Sequence, residues 1–407
     1  MAQKQNYVVG LDVGSDKTCA LVCRPAESGK LEVLGVGTAE SKGWRRGVIV
    51  HLEGAKTSVK KAVEEAESAA GVPIDFAYVG VCGPHVKGVN SSATISLGNK
   101  RREVTAEDVA KVRYAAREIS LPADREIVSE EPQQYLVDSQ DGIRQPVGML
   151  GTRLEVGVHL ITAASTHYQN VVTTVNHVGI RLPDNGLIFE PLAAAQGVLT
   201  ADERDQGVAL IDIGAGCTGM IVYRENVVRH TAVVPVGGEH FTNDISVGLR
   251  TPIPEAEKMK LRWAGRDPDQ PPSSMIEIPG VGDRPARMVS YATLSEIIDA
   301  RARELLELIQ AELVRSGVEK QLGRGIVLVG GGAKLGGFAA LTEQMLKAPI
   351  RVGTPSGLEK PGEILPDPAF ATVVGLVTYG NRQRLLQGAR EGGWTTRLFG
   401  LFGGSKS

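Results

Sequence analysis

Two short segments of the chain carry the same pattern of residues suited to phosphate chemistry. Residues 11–22 read LDVGSDKTCALV and residues 211–222 read IDIGAGCTGMIV, so Asp-x-Gly-x-x-x-Thr recurs at an offset of 200 residues. An apolar run enters each Asp and another leaves each Thr, which predicts a strand–turn–strand hairpin with the glycine in its bend. Such a bend lets backbone N–H groups converge on one point and form an anion nest. A carboxylate at the strand end faces the same space and suits a hydrated Mg²⁺ carried on a phosphate tail. One such turn is an ordinary tight hairpin. Two of them, one per half of the chain, could clamp a nucleotide from both sides.

Other glycines fall where the same cleft would need them. Gly237-Gly238 follows a predicted strand over Val227–Val236 and leads into a helix near Phe241. Val327-Leu328-Val329 runs into Gly330-Gly331-Gly332, a buried strand ending in a loop that a flat ring or a phosphate can approach closely. Neither the P-loop pattern GxxxxGK[ST] nor GxGxxG is present.

Composition bounds what these elements can belong to. The chain has 407 residues, 42% hydrophobic and 23% charged, with 49 glycines and a net charge of -2. This is a globular chain long enough for two or more units, with no basic field to make nucleic acid its partner. Cys19, Cys23, Cys82 and Cys217 form no CxxC pair or zinc spacing, and the seven histidines show no HxxxH or HExxH spacing, so no protein-held metal cluster is expected. Cys217 is read as a small residue of the second turn. Free cysteines suggest a reducing compartment, and the N-terminus lacks the apolar core of a secretion signal.

The ordered set of motifs resembles the actin-like ATPase superfamily. Asp12–Thr18 and Asp212–Gly219 look like its two phosphate motifs. Phe189-Glu190-Pro191-Leu192 and Pro368–Leu376 look like its connecting helices, and Val329–Ala333 is similar to its adenosine motif. A finer resemblance is to the FtsA family of bacterial cell division. It rests on Val79–Val86 introducing an inserted segment, on Thr251–Lys260 as a nucleotide-side helix, and on a glycine-rich linker with an amphipathic C-terminus.

The resemblance implies an α/β, actin-like fold of two related lobes around a nucleotide cleft, with an inserted α+β subdomain in place of the usual actin small subdomain. The first lobe would take 1–83, 178–200 and part of 372–387, and the insertion 84–177. The second lobe would take 205–245 and 325–387, with 246–324 as its small subdomain. ATP and Mg²⁺ are the implied cofactors. Asp12 and Asp212 would order the metal through water, and Glu190 would orient an attacking water. Gly14, Ser15, Lys17, Thr18, Gly214, Ala215, Gly216, Gly237 and Gly238 would meet phosphates. Glu257 and Lys260 would hold ribose and adenine, and Gly330, Gly331 and Gly332 would lie near the adenosine. A common second motif reads Asp-Ile-Gly-Gly-Gly-Thr-x-Asp, whereas Cys217 and Gly219 stand in place of its Thr and last Asp here. Losing a carboxylate and a hydroxyl there favours a binding switch with slow or negligible ATP hydrolysis.

The remaining segments imply partners. In the insertion, Thr105 starts a helix through Ser120 with Val109, Val112, Ala116 and Ile119 on one face. Strands then follow at Glu126–Val137 and Arg153–Ala163, with a second helix over 166–177. The family uses this unit toward neighbouring subunits or later division proteins. A helix over Leu294–Ser316 carries Leu294, Ile297, Ile298, Leu305, Leu308, Ile309 and Leu313 on its apolar side. In the family this small lobe receives the C-terminal peptide of FtsZ, for which Arg284, Arg287 and Arg301 are candidate cations. A linker at 388–393 (GAREGG) precedes Trp394, Arg397, Leu398, Phe399, Leu401 and Phe402, which as a helix present one bulky face suited to a lipid interface. A single tail would bind lipid reversibly and an array of subunits far better. Together these features imply filaments that anchor FtsZ at the cytoplasmic face of the cell membrane, at the division site. The competing readings are a pilus-assembly relative and a small-molecule kinase of the same superfamily.

Overall fold

The computed structural model describes residues 6–118, 121–264, 274–280 and 285–391. Arg284 and the tail from Trp394 lie outside the described residues.

Both expected hairpins form, in the same register. Val8–Val13 pairs antiparallel with Lys17–Pro25, placing Asp12 opposite Cys19 and Val13 opposite Thr18. Val208–Ile213 pairs with Thr218–Arg224, placing Asp212 opposite Gly219 and Ile213 opposite Thr218. The likeness extends well past the motif. In the first lobe Leu31–Glu40 adds to the hairpin on one side, and the parallel strands Tyr78–Val81 and Leu187–Phe189 add on the other. In the second lobe Val227–Val234, Ile326–Val329 and Ile350–Val352 take the same places. A repeat of a few residues in sequence is thus a repeat of a five-stranded sheet in space. Every residue of Val208–Ile213 is buried, as expected for a central strand covered on both faces.

The first sheet has a sixth strand, Leu358–Glu359, parallel to Leu31–Glu40. The chain therefore returns to the first lobe earlier than the expected boundary at 372. It then enters the helix Ala371–Glu391, which crosses the helix Glu190–Val198. Glycine permits that crossing, because a Cβ on Gly375 would lie 1.9 Å from the Ala193 carbonyl oxygen. The long helix runs through Glu391, so residues 388–391 of the expected linker are helical.

In the insertion, the helix spans Ala106–Arg117, with Thr105 and Asp108 closing a capping box. Strands Arg125–Val137 and Arg153–Ala164 and the helix Ser165–His177 also form. Lys87–Ser96 is a further strand that the sequence does not announce, and it pairs with Arg153–Ala164 along its whole length. The insertion is therefore a four-stranded sheet with helices, held against the second lobe. His159 Nε2 is hydrogen-bonded to the Thr231 hydroxyl at 2.8 Å and Nδ1 to Asn90 Oδ1 at 2.7 Å, while Gln133 donates to the Val228 carbonyl at 2.8 Å.

In the small lobe an unanticipated hairpin, Met275–Ile278 with Arg287–Ser290, precedes the helix Tyr291–Ser316. That helix buries Leu294, Ile298, Leu305, Ile309 and Leu313, with Ile297 packed at the edge. Leu308, assigned to the apolar side, is instead 40% exposed. The Gly375 contact yields a stability test. Gly375→Val must push the two crossing helices apart and should cost about 3 kcal/mol in urea unfolding, the upper range for overpacking.

Candidate functional site

The two hairpin turns open into one cleft of about 250 Å³ between the lobes. Asp12, Gly14, Ser15 and Lys17 line it from the first lobe, and Asp212, Gly214, Ala215, Gly216 and Gly238 line it from the second. Glu190 enters from the start of its helix, Gly330, Gly331 and Gly332 from the glycine loop, and Glu257 and Lys260 from the helix Ile253–Ala264.

Two expected residues are not on the lining. Adjacent strand residues point to opposite faces. Lys17 therefore faces the cleft, while Thr18 is fully buried with its hydroxyl 2.8 Å from that of Ser41. Thr18 is thus buried behind the lining rather than in it. Gly237 sits behind the second turn, where a Cβ would lie 2.6 Å from the carbonyl oxygens of Gly214 and Ala215. Its part is to let the helix Gly238–Gly248 start against that turn, through Gly238 N–H donating to Gly214 O at 2.9 Å.

The turns of the two lobes nearly touch. A Cβ on Gly216 would lie 2.7 Å from Ser15 Oγ and 2.6 Å from Arg46 Cα. Gly219, which stands where the related motif has an Asp, leaves no gap. A Cβ there would lie 2.5 Å from Pro191 and 3.1 Å from Cys82 Sγ. The missing carboxylate is replaced by packing.

Electrostatically, the cleft gathers three carboxylates, Asp212 buried and Asp12 and Glu190 half-buried. Burial pushes Asp12 up to about 7, with Lys17 acting against it and Asp212 adding to it. Burial pushes Asp212 up to about 6, moderated by the Thr372 hydroxyl, which donates to its Oδ2 at 3.0 Å, and by Lys17. Glu190 is raised further by burial, then by Asp12, Cys217 and Asp212. Lys17 donates to the Ala369 carbonyl at 3.0 Å and sits 3.4 Å over the Phe370 ring, at the head of the long helix. Among the described residues no three His, Cys, Asp or Glu side chains are grouped to hold a metal ion directly, so these carboxylates suit a hydrated cation reached through water. On the far wall Lys260 bonds Glu257 at 2.7 Å and donates to Gly238 O at 3.2 Å.

Trp44 was not anticipated. Its side chain lines the cleft, and its indole N–H is buried without a hydrogen-bond partner. No short motif surrounds it, since the two-residue strand Trp44–Arg45 brings it there. The candidate peptide-binding cations divide. Arg301 is committed to Asp244 and Glu304, so it presents no free charge. Arg287 donates to Leu249 O at 2.6 Å yet remains exposed beside the exposed Met288.

Two sheets of one topology, joined by crossing helices and opening into a shared cleft, define an actin-like fold. Solved structures agree at the level of fold. The PilM–PilN type IV pilus biogenesis complex matches with a TM-score of 0.64 at 16% identity, covering 92% of this chain and 98% of that one. MreB5 of Spiroplasma citri bound to ADP matches with a TM-score of 0.55 at 13% identity, covering 96% and 99%.

Sequence relatives specify the family. The chain is 40% identical to cell division protein FtsA of Pseudomonas aeruginosa over 93% of this chain and 90% of that one. It is 34% identical to that of Escherichia coli K12 over 94% and 92%. The family described as cell division protein FtsA matches residues 209–375, and the SHS2 domain inserted in FtsA matches residues 83–162. The chain belongs to the FtsA family of cell division proteins.

The raised carboxyls make a signed prediction. Asp12 and Asp212 hold protons in the folded state that the unfolded chain has released, so stability falls as pH rises from about 4 through about 7. Without added ligand or divalent cation, the thermal midpoint should drop by several degrees between pH 5 and pH 8. Asp12→Asn should flatten that slope, and an equal slope in the variant would contradict the carboxylate assignment.

Proposed function

We propose that this chain binds Mg²⁺ and ATP in the cleft, assembles into filaments at the cytoplasmic face of the membrane and tethers FtsZ there. The observation that carries this reading is the meeting of two glycine turns and three desolvated carboxylates in one cleft of an FtsA-family chain. The Mg²⁺ would supply the positive charge that the carboxylates lack, and the ATP a phosphate chain for the backbone N–H groups.

Asp12 and Asp212 hold the metal through its waters. Gly14, Ser15, Lys17, Gly214, Ala215 and Gly216 take the phosphates, with Gly238 at the start of its helix. Glu257 and Lys260 form the ribose and adenine wall, and Gly330–Gly332 bring backbone against the adenosine. Glu190 holds a water near the phosphates. Packing around Gly219 leaves no second carboxylate beside it, which favours slow hydrolysis and a switch that reports nucleotide state.

The small lobe around 246–324 takes the acidic C-terminal peptide of FtsZ. Arg287 supplies charge there, and the exposed Met275 and Met288 on the same hairpin supply apolar contact. The inserted sheet meets the next subunit or later division proteins. Among the described residues no helix is long and apolar enough to cross a membrane. Membrane attachment falls instead to the residues from Trp394 to Phe402. A kinase of the superfamily has no use for such a tail, and a pilus-assembly relative is disfavoured by the same feature.

Two measurements test the reading. Asp212→Asn should weaken Mg·ATP binding at least tenfold, about 1.4 kcal/mol, seen by calorimetry or by Trp44 fluorescence. The full chain with Mg·ATP should co-sediment with anionic vesicles and bring FtsZ with it. A chain ending at Gly393 should stay in the supernatant while still binding nucleotide, and co-sedimentation of that shorter chain would remove the tail from the account.

A further inference from the structure

Two of the four cysteines meet inside the cleft, and they come from opposite lobes. Cys82 follows the strand Tyr78–Val81 of the first sheet, and Cys217 sits at the end of the second lobe's phosphate turn. Their sulfurs lie 3.7 Å apart, with the Cys217 thiol donating to Cys82 Sγ. Both line the cleft, at 6% and 7% exposure. Cys19 and Cys23 are fully buried on one strand, four residues apart, a separation of roughly 13 Å that no disulfide spans.

We propose that Cys82 and Cys217 are a redox-modification site whose disulfide ties the two lobes together across the cleft. A disulfide has sulfurs at about 2.05 Å, so the pair must approach by about 1.7 Å. Rotation of two side chains with a slight closing of the lobes supplies that distance. The proposed oxidant is hydrogen peroxide, small and uncharged, meeting the sulfurs in the cleft that both cysteines line. One thiolate attacks an oxygen of hydrogen peroxide, forming an S–O bond as the O–O bond breaks and hydroxide leaves. The second thiolate attacks the resulting sulfenic sulfur, forming the S–S bond and expelling a second hydroxide. The two protons given up by the thiols convert both hydroxides to water. The peroxide is thus reduced to two waters as two thiols become one disulfide.

The consequence follows from the residues on either side. Cys217 ends the turn that begins at Gly214, and Gly219 packs on Cys82 and Pro191, next to Glu190. A covalent tie there fixes the second turn against the first lobe. The lobes can then no longer part to exchange what the cleft holds. This consequence rests on the nucleotide reading of the cleft, whereas the cross-link itself does not.

The test uses the full-length reduced protein, with and without Mg·ATP, and hydrogen peroxide as the only oxidant. Peptide mapping should find residues 82 and 217 joined with a mass loss of about 2 Da, reversed by a phosphine reductant. Cys82→Ser and Cys217→Ser should each lose the joined peptide. If a variant does not fold, the map of the unsubstituted protein decides alone. Exchange of bound nucleotide should slow at least tenfold on oxidation and recover on reduction. Oxidation of either thiol to sulfinic acid without the joined peptide overturns the site. A joined peptide with an unchanged exchange rate overturns the lobe tie. Absence of nucleotide binding by the reduced protein is a separate result, which strikes the nucleotide reading and leaves the cross-link to be judged by mass.

Discussion

The desolvation of three carboxylates in one small space is the constraint around which the rest of the structure is arranged. Asp12, Asp212 and Glu190 all sit in the cleft with their proton affinities raised by burial, Asp12 also by Asp212, and Glu190 also by Asp12, Cys217 and Asp212. Within the protein, Lys17 and the Thr372 hydroxyl offset this, and both also touch the region where the long helix begins. Such a cluster is costly when ionised and unpaired, and the hydrated cation proposed for the cleft would offset that cost. The glycine turns serve the same end by bringing backbone donors beside the charge without side chains in the way.

Holding that cluster together is a task for the chain as a whole. Asp12 and Asp212 occupy equivalent places at the ends of equivalent central strands, which is why the two sheets share one topology. Glu190 begins one connecting helix and Thr372 lies in the first turn of the other, so the helix crossing at Gly375 and Ala193 sets the spacing of the site's parts. Lys17 and Asp212 both contact residues at the head of that long helix, Ala369, Phe370 and Thr372.

Much of this was legible in the sequence wherever the signal was local. The two hairpins, the glycine loop and Glu190 could be placed from motif and order, and the cleft brings them together. Thr18 could not be placed by motif alone, since its strand parity turns it toward Ser41 while Lys17 faces the cleft. Lys87–Ser96 was illegible because its sequence, KGVNSSATIS, is mostly polar and no residue in it is buried, so no apolar alternation marks it. Trp44 reaches the cleft through tertiary placement. The burial of Gly219 against Pro191 shows that a departure from a motif can be filled by packing contributed from the other lobe.

The most direct measurement is a structure of the full chain with Mg²⁺ and a non-hydrolysable ATP analogue. The account predicts phosphates between the turns at Gly14–Lys17 and Gly214–Gly216, the metal between Asp12 and Asp212, and Lys17 drawn off Phe370 toward the phosphates. A nucleotide bound elsewhere, or one bound with Lys17 still on Phe370 and no metal beside the two aspartates, would contradict it.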